Sequence, residues 1–158
     1  MDHEQRQALI DRYREGYAAV EEALRGASDA ALDARPAPGE FTAREVVHHL
    51  ADSEMTSAIR LRRLIAEDAP HIQAYDENQF ARALYYDRRP THASLAAMKA
   101  ARDTSAQILD LLGEDDWTRS GTHSDSGAYS VETWLHVYAA HAHDHARQIR
   151  EALTSAGQ

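Results

Sequence analysis

Apolar residues recur at intervals of three and four positions in four long stretches of the chain. This spacing brings the apolar side chains onto one face of an α-helix, with the polar residues on the other face. None of the four stretches reads as a confident strand. The pattern therefore predicts four amphipathic helices, at about residues 2–25, 42–67, 91–112 and 130–154.

Residues that stop or cap helices stand at the edges of these stretches. Gly26 can end the first helix, because glycine readily takes the backbone conformation that follows a helix. Residues 42–45 read as a capping box that opens the second helix. Thr91 and Ser130 are expected to cap the third and fourth helices.

The connections between the helices are rich in turn formers. Residues 34–40 contain two prolines and a glycine, and residues 118–129 are polar and turn-prone. Residues 75–77 are expected to start a short helix that ends before residue 88. The economical architecture is one all-α domain over residues 1–158, a four-helix bundle with a short extra helix in a crossing connection.

Length and charge limit the classes of partner. The 158 residues suit a single domain with a core of its own, and the net charge of −9 argues against a nucleic-acid partner, since phosphate binding needs clustered Lys and Arg. No stretch approaches the roughly 20 apolar residues of a membrane span, and the N-terminus lacks the apolar core of a signal peptide. We expect a cytoplasmic protein without a membrane partner.

Cysteine is absent from the chain. A metal site must therefore use histidine, carboxylate or water as ligands. Any thiol chemistry must likewise use a small-molecule thiol.

His141 and His145 are the most informative residues. They stand four positions apart in the last helix, about 400° of rotation, so that they share one face. That face also carries Trp134, Tyr138 and Ile149, which makes it the core-facing stripe. A pair of histidines at this spacing is more often surface decoration, but its position on an apolar stripe favours a bound metal ion.

A third ligand is needed, because two histidines alone would bind an ion weakly. The second helix offers His48 and His49, and periodicity alone does not choose well between them. His49 falls beside small polar residues that could wall a cavity, Ser53, Thr56 and Ser57, and is therefore favoured. Three imidazoles would leave a coordination position open to water or substrate, as in a catalytic site.

The other histidines are assigned no role. His143 lies about 200° around the helix from His141 and is expected to face solvent. No Asp or Glu is found one helical turn from the three proposed ligands on the same face, so that no proton shuttle is predicted. His136 is likewise off the face of His141 and His145, and the histidines without a helical partner, expected at the surface or in loops, are His3, His71, His92 and His123.

The chain resembles the DinB superfamily, most closely its YfiT branch of metal-dependent hydrolases, which is related to the bacillithiol S-transferases. The resemblance depends on three motifs: His-His-Leu-Ala-Asp-Ser at 48–53, Tyr-Asp-Glu at 75–77, and His-x-x-x-His at 141–145 with Gln-Ile after it. It extends from about residue 38 to residue 153, with the motifs in the same order and spacing.

The resemblance implies an up-down-down-up four-helix bundle with a divalent ion, nickel or zinc, held by three histidines and completed by water. The family's ligands fall on His49, His141 and His145. Homodimers are common in the family, and we therefore expect a homodimer.

The resemblance also suggests residues that bind a ligand beside the ion. Tyr75, Asp76 and Asn78 lie in the Tyr-Asp-Glu segment and are expected to line the mouth of the cavity, although Asp76 is equally suited to cap a helix. Arg60 lies on the same side of the helix as His49 and could meet an anionic group of a substrate, with a surface position as the alternative.

Two positions depart from the family pattern. Phe41 stands where relatives carry tryptophan, and it still supplies a hydrophobic plug at the start of the second helix. Gln148 stands where a further histidine is often found. Neither departure falls on the three proposed ligands.

Three functions are compatible with these residues. The leading hypothesis is an enzyme that transfers a low-molecular-weight thiol, of bacillithiol type, to an electrophilic substrate. The second is metal-dependent hydrolysis of an amide or ester. The third is a non-catalytic, stress-induced dimer that binds metal.

Overall fold

The computed structural model describes residues 1–155, and the last three residues of the predicted 1–158 domain lie outside this range. In chain order, the helices and strands are α1 (His3–Ala23), α2 (Asp29–Asp33), α3 (Ala43–Ala66), β1 (His71–Ile72), α4 (Glu77–Ala83), α5 (His92–Leu109), a 3₁₀ helix (Glu114–Thr118), β2 (Ser120–His123), β3 (Gly127–Ser130) and α6 (Val131–Ser155).

The four long helices α1, α3, α5 and α6 form a bundle, with α1 packed most extensively on α6 and α3 on α5. Their apolar faces meet in two clusters of buried side chains. One cluster surrounds Trp134 and the other surrounds Leu50 and Ile149. The predicted four-helix bundle, with the short helix α4 in a connection, is confirmed.

Capping explains most of the helix boundaries. The side chain of Thr42 accepts a hydrogen bond from the backbone of Glu45, whose own side chain bonds back to Thr42, as predicted. Ser130 accepts a hydrogen bond from the backbone N–H of Thr133 at the start of α6. Thr91 precedes α5 as predicted but makes no capping hydrogen bond through its side chain.

Two features of the connections differ from the sequence-based prediction. Helix α2 was not predicted, although Ser28 caps it. Strands β1, β2 and β3 form a small sheet in which β1 pairs parallel to β2 and β2 pairs antiparallel to β3. Strands of two to four residues are too short to show a period of two, so the sequence pattern gave no sign of them.

The sheet brings two distant loops together. A Cβ atom at Gly121 would lie 2.1 Å from the carbonyl oxygen of Pro70, and glycine therefore permits the close approach of β2 to the segment before β1. The Ser124 hydroxyl then accepts a hydrogen bond from the Ala74 N–H, at 2.9 Å. These contacts hold residues 73–75 and the β2–β3 hairpin beside α3 and α6 at the site described below. No helix within residues 1–155 is long and apolar enough to cross a bilayer.

Candidate metal centre

Helices α3 and α6 bring the three predicted ligands together. His49, His141 and His145 each offer a nitrogen, and these three atoms lie within 4.8 Å of one another. The ring centroids are 4.6 Å apart for His141 and His145, 4.7 Å for His49 and His145, and 5.6 Å for His49 and His141. This is a compact imidazole cluster built from two elements far apart in sequence.

Burial keeps two of the three rings in the neutral form that a metal ion requires. Loss of hydration on burial, followed by the neighbouring His145 and His141, lowers the pKa of His49 to about 3. Burial, with a further contribution from His141, lowers the pKa of His145 to about 4. At neutral pH these two rings keep a lone pair available for coordination, and the donor set therefore fits a divalent ion.

Each of the three rings has an acceptor beside its Nδ1 atom. The Nδ1 of His145 lies 2.7 Å from the Gln148 Oε1, which can only accept, and the ring proton is therefore on Nδ1 and Nε2 is free. The Nδ1 of His141 lies 3.7 Å from the Glu54 Oε1, and the Nδ1 of His49 lies 3.7 Å from the Glu77 Oε2. The Gln148 contact is a hydrogen bond of the kind that orients a metal-binding imidazole, whereas the two carboxylates lie just beyond hydrogen-bond distance.

Two glutamates lie close to the histidines, although neither stands one helical turn from a proposed ligand on the same helix face. Glu54 is fully buried and pairs with Arg102, which reaches it from α5. Glu77 comes from α4, in another connection. The periodicity of α3 and α6 could not reveal them, because one is drawn inward by a partner on a third helix and the other belongs to a separate element.

The histidine cluster lines a solvent-accessible pocket of about 430 Å³. Its lining comes from α3, α6, the start of α4 and the β2–β3 hairpin. The lining residues are His49, Ser53, Arg60, Ala74, Tyr75, Glu77, His123, Asp125, Val137, Tyr138, His141 and His145.

Of the four residues that were predicted to lie beside the ion, only two contribute to the lining of this pocket. Tyr75 and Arg60 do so. Asp76 instead caps α4, accepting a hydrogen bond from the Gln79 N–H. Asn78 faces a different pocket, on the far side of α4. Asp76 thus takes the alternative role of a helix cap, and neither Asp76 nor Asn78 is among the residues that line the pocket of the histidine cluster.

His48 has a different environment from its neighbour. It is fully buried, with Nδ1 2.8 Å from the Ser94 hydroxyl and Nε2 3.0 Å from the Arg89 carbonyl oxygen. Both ring nitrogens are therefore engaged in joining α3 to the start of α5. Of the two candidates in the sequence, His49 joins the cluster and His48 does not.

Two further histidines were misjudged from the sequence. His143 was expected to face solvent, but it is half-buried and its Nε2 lies 2.9 Å from the Arg12 carbonyl oxygen on α1. His123 was assigned no role, yet it lines the pocket from β2. Its position depends on the hairpin, and helical periodicity therefore gave no signal for it.

The two positions that depart from the family pattern both lie against the cluster. The Phe41 ring is 6.2 Å from the His49 ring, where it covers one side of the imidazole. Gln148 contacts His145 directly, as described above. They are neighbours of the proposed ligands and not remote substitutions.

Comparison with known proteins agrees with this architecture. The family model of the DinB superfamily matches residues 12–149. The chain belongs to the DinB superfamily. A relative from Oceanobacillus iheyensis, named a putative metal-dependent hydrolase, is 36% identical over 118 residues, which are 75% of this chain and 68% of the relative. The similarly named YfiT of Bacillus subtilis is 31% identical over 149 residues, or 94% of this chain and 84% of YfiT.

The solved structure of Bacillus subtilis YfiT superimposes on this DinB-superfamily chain with a TM-score of 0.92 at 30% identity. The match covers 99% of this chain and 90% of YfiT, which is described as a probable metal-dependent hydrolase with an unusual four-helix bundle topology. The chain thus shares both the family and the bundle of YfiT.

Gln148 gives a first testable prediction. Gln148→Ala should weaken the binding of nickel or zinc by about 10–100-fold, because the Nδ1 proton of His145 loses its acceptor. A competition titration against a chromophoric chelator measures this change. Gln148→Glu retains an acceptor and should restore most of the affinity, whereas Gln7→Ala, on the exposed face of α1, should leave it unchanged. Equal affinities for the alanine variant and the wild type would contradict the orienting role.

Proposed function

We propose that this protein is a metal-dependent enzyme that transfers a low-molecular-weight thiol to an electrophilic substrate, with nickel or zinc held by His49, His141 and His145. The observation that carries the proposal is the cluster of three imidazoles, one buried and two partly exposed, at an open pocket. A divalent ion bound there would act as a Lewis acid that lowers the pKa of a thiol or a water molecule towards neutrality.

The absence of protein thiols supports this choice, and the family assignment supports the dependence on a metal ion. The chain has no cysteine, and the sulfur nucleophile must therefore enter as a small molecule. A thiol that loses its proton at the ion needs no protein base. In the reaction a C–S bond forms, the bond between carbon and leaving group breaks, and the thiol proton passes to solvent.

The residues around the cluster would hold the electrophile. Arg60, Tyr75 and Tyr138 present polar atoms to the same pocket, opposite the imidazoles. Phe41 packs near His49, with ring centroids 6.2 Å apart. Binding both reactants in one pocket would raise the rate mainly through proximity and orientation.

The test uses a thiol whose product is fluorescent. Protein purified without a histidine tag and loaded with nickel or zinc is mixed with bacillithiol and monochlorobimane, which loses chloride as the C–S bond forms. We expect conjugation above that of the metal-free protein and of His141→Ala loaded in the same way. Rates equal to those of the metal-free protein, over a panel of small thiols, would count against thiol transfer.

Hydrolysis of an amide or ester is the second candidate, and Glu77 is the observation that favours it. Its carboxylate lines the pocket and lies 3.7 Å from the His49 Nδ1. A carboxylate in this position can accept a proton from an attacking water molecule. A panel of ester and amide substrates, assayed with and without chelator, distinguishes the two reactions. At equal metal content, Glu77→Gln should lower hydrolysis and leave thiol transfer unchanged, because only hydrolysis uses the carboxylate as a base.

A further inference from the structure

The part of the pocket that is remote from the histidine cluster is lined by hydrogen-bond donors. Arg60 reaches it from α3, Tyr138 from α6 and His123 from β2. The Tyr138 ring lies 5.5 Å from the His141 ring, and its hydroxyl lies 3.3 Å from the Arg60 Nη1. Tyr138 therefore spans the distance between the imidazoles and the guanidinium.

Arg60 is held in one orientation. Its Nη2 donates to the Gln73 carbonyl oxygen at 2.7 Å and its Nη1 donates to the Tyr138 hydroxyl, while the Tyr75 ring covers the guanidinium at 5.9 Å. Each Nη atom keeps a second proton for a ligand. Tyr138 is almost fully buried, and because its oxygen accepts from Arg60, its own O–H is available to donate.

His123 also presents a donor. Its Nδ1 accepts the backbone N–H groups of Asp125 and Ser126, at 3.3 and 3.4 Å, so that the ring proton lies on Nε2. The ring packs against Tyr129, with centroids 5.3 Å apart. Burial, and next the charge of Arg60, lower the pKa of His123, which keeps the ring in this neutral form with one N–H to donate.

Two acidic residues also line the pocket, and among the described residues neither carboxylate is hydrogen-bonded to this donor group, although the backbone N–H of Asp125 binds the His123 ring. Asp125 is exposed at the rim, and its Oδ1 accepts the Ser124 hydroxyl at 3.0 Å. Glu77 lies beside His49, with the imidazoles. The group formed by Arg60, Tyr138 and His123 therefore offers donors and a positive charge to one ligand group.

We propose that Arg60, Tyr138 and His123 form a carboxylate subsite, and that the substrate bound in this pocket carries a carboxylate a few bonds away from the group that meets the metal ion. A carboxylate has two coplanar oxygens and matches the paired Nη donors of arginine. The adjacent hydroxyl and imidazole donors would bind the remaining lone pairs. This subsite rests on the proposed function, since it assumes an ion at the imidazoles.

Matched probes that differ only in the carboxylate test the subsite. Binding of 3-mercaptopropionate and of 3-mercaptopropionamide to the cobalt-loaded protein is measured by isothermal titration calorimetry. We expect 3-mercaptopropionate to bind about tenfold more tightly than the amide or better, because only the carboxylate can accept charge-assisted hydrogen bonds. Equal affinities for the two thiols would overturn the subsite while leaving the metal site intact.

A second pair of probes separates this proposal from thiol transfer. Succinic acid monohydroxamate and its terminal amide bind metal ions through the hydroxamate and need no thiol site. If neither thiol binds, the thiol-transfer proposal fails, and the hydroxamate pair still tests the subsite. A preference for the carboxylate in that pair supports the subsite, and its absence overturns it.

Variants assign the preference to the named residues. Arg60→Gln should reduce the carboxylate preference to within about twofold, and His123→Phe should reduce it by a smaller factor, with the metal content of both unchanged. The matched controls are Arg63→Gln and His71→Phe, which replace an arginine of α3 and a histidine of β1 outside the pocket lining. A preference that persists in Arg60→Gln would overturn the assignment.

Discussion

Replacing any one of His49, His141 and His145 by alanine should lower the affinity for nickel or zinc by more than about 100-fold. The expected loss exceeds the 10–100-fold typical of a lost outer partner, because a ligand itself is removed. Equilibrium dialysis followed by elemental analysis measures the bound metal. Circular dichroism should show the same helix content as in the wild type, since two of the three rings are partly exposed to the pocket.

His136→Ala is the matched control for this series. It removes an exposed histidine from the same helix as His141 and His145. Its metal content should equal that of the wild type. Loss of metal in His136→Ala, or full retention in all three cluster variants, would show that the ion binds elsewhere.

The second large effect is expected at Arg102, which is 2% exposed. Its guanidinium pairs with Glu54 and donates to the carbonyl oxygens of Tyr13 and Tyr138, and thereby connects four helices. Arg102→Met would leave the Glu54 carboxylate buried without a partner. Breaking a buried pair in this way typically costs about 3–5 kcal/mol, and we expect a loss of that size in the free energy of unfolding. Urea denaturation measures it.

Two comparisons isolate the cause of this loss. Arg150→Met removes an exposed arginine from α6 and should change the free energy of unfolding by less than about 0.5 kcal/mol. The double variant Glu54→Gln/Arg102→Met removes both charges and should be more stable than Arg102→Met alone. If the single variant lost less than about 1 kcal/mol, the buried pair would not have the role assigned to it.

The Arg102–Glu54 pair also connects the core to the metal centre. Glu54 lies 3.7 Å from the His141 Nδ1, and the Nδ1 and the Glu54 Oε2 are both buried without a hydrogen-bond partner among the described residues. An ion at the opposite nitrogen of His141 would place the ring proton on Nδ1, facing this carboxylate. Gly16 makes room for the arrangement, because a Cβ there would lie 2.5 Å from the Arg102 Nη2.

The helices and the imidazole cluster could be predicted because both depend on spacing within one helix. Residues four positions apart in a helix, such as His141 and His145, share a face. Thr42 and Glu45 mark the start of α3 by local hydrogen bonds. The choice of His49 over His48 was harder. The two residues are adjacent, and the choice depends on Ser94 of α5 and on Arg89 in the connection before α5, which both bind the His48 ring.

The remaining features depend on contacts between distant segments. The hairpin that carries His123 is stabilised by pairing with β1, about 50 residues earlier in the chain, and its short strands have no periodic signature. Arg102 occupies a buried position where the hydrophobic pattern of α5 predicts an apolar residue. A polar residue at a core position becomes interpretable only when its partners, here Glu54 and two carbonyl oxygens, are known.

X-ray absorption spectroscopy of tag-free, zinc-loaded protein tests the central claim most directly. The outer-shell scattering of imidazole rings counts the histidines bound to the ion. We predict three imidazoles and at least one further oxygen or nitrogen ligand in the wild type, and the same spectrum for His136→Ala. A site with fewer than three imidazoles, or with a shell made mainly of carboxylate oxygens, would contradict the assignment of His49, His141 and His145.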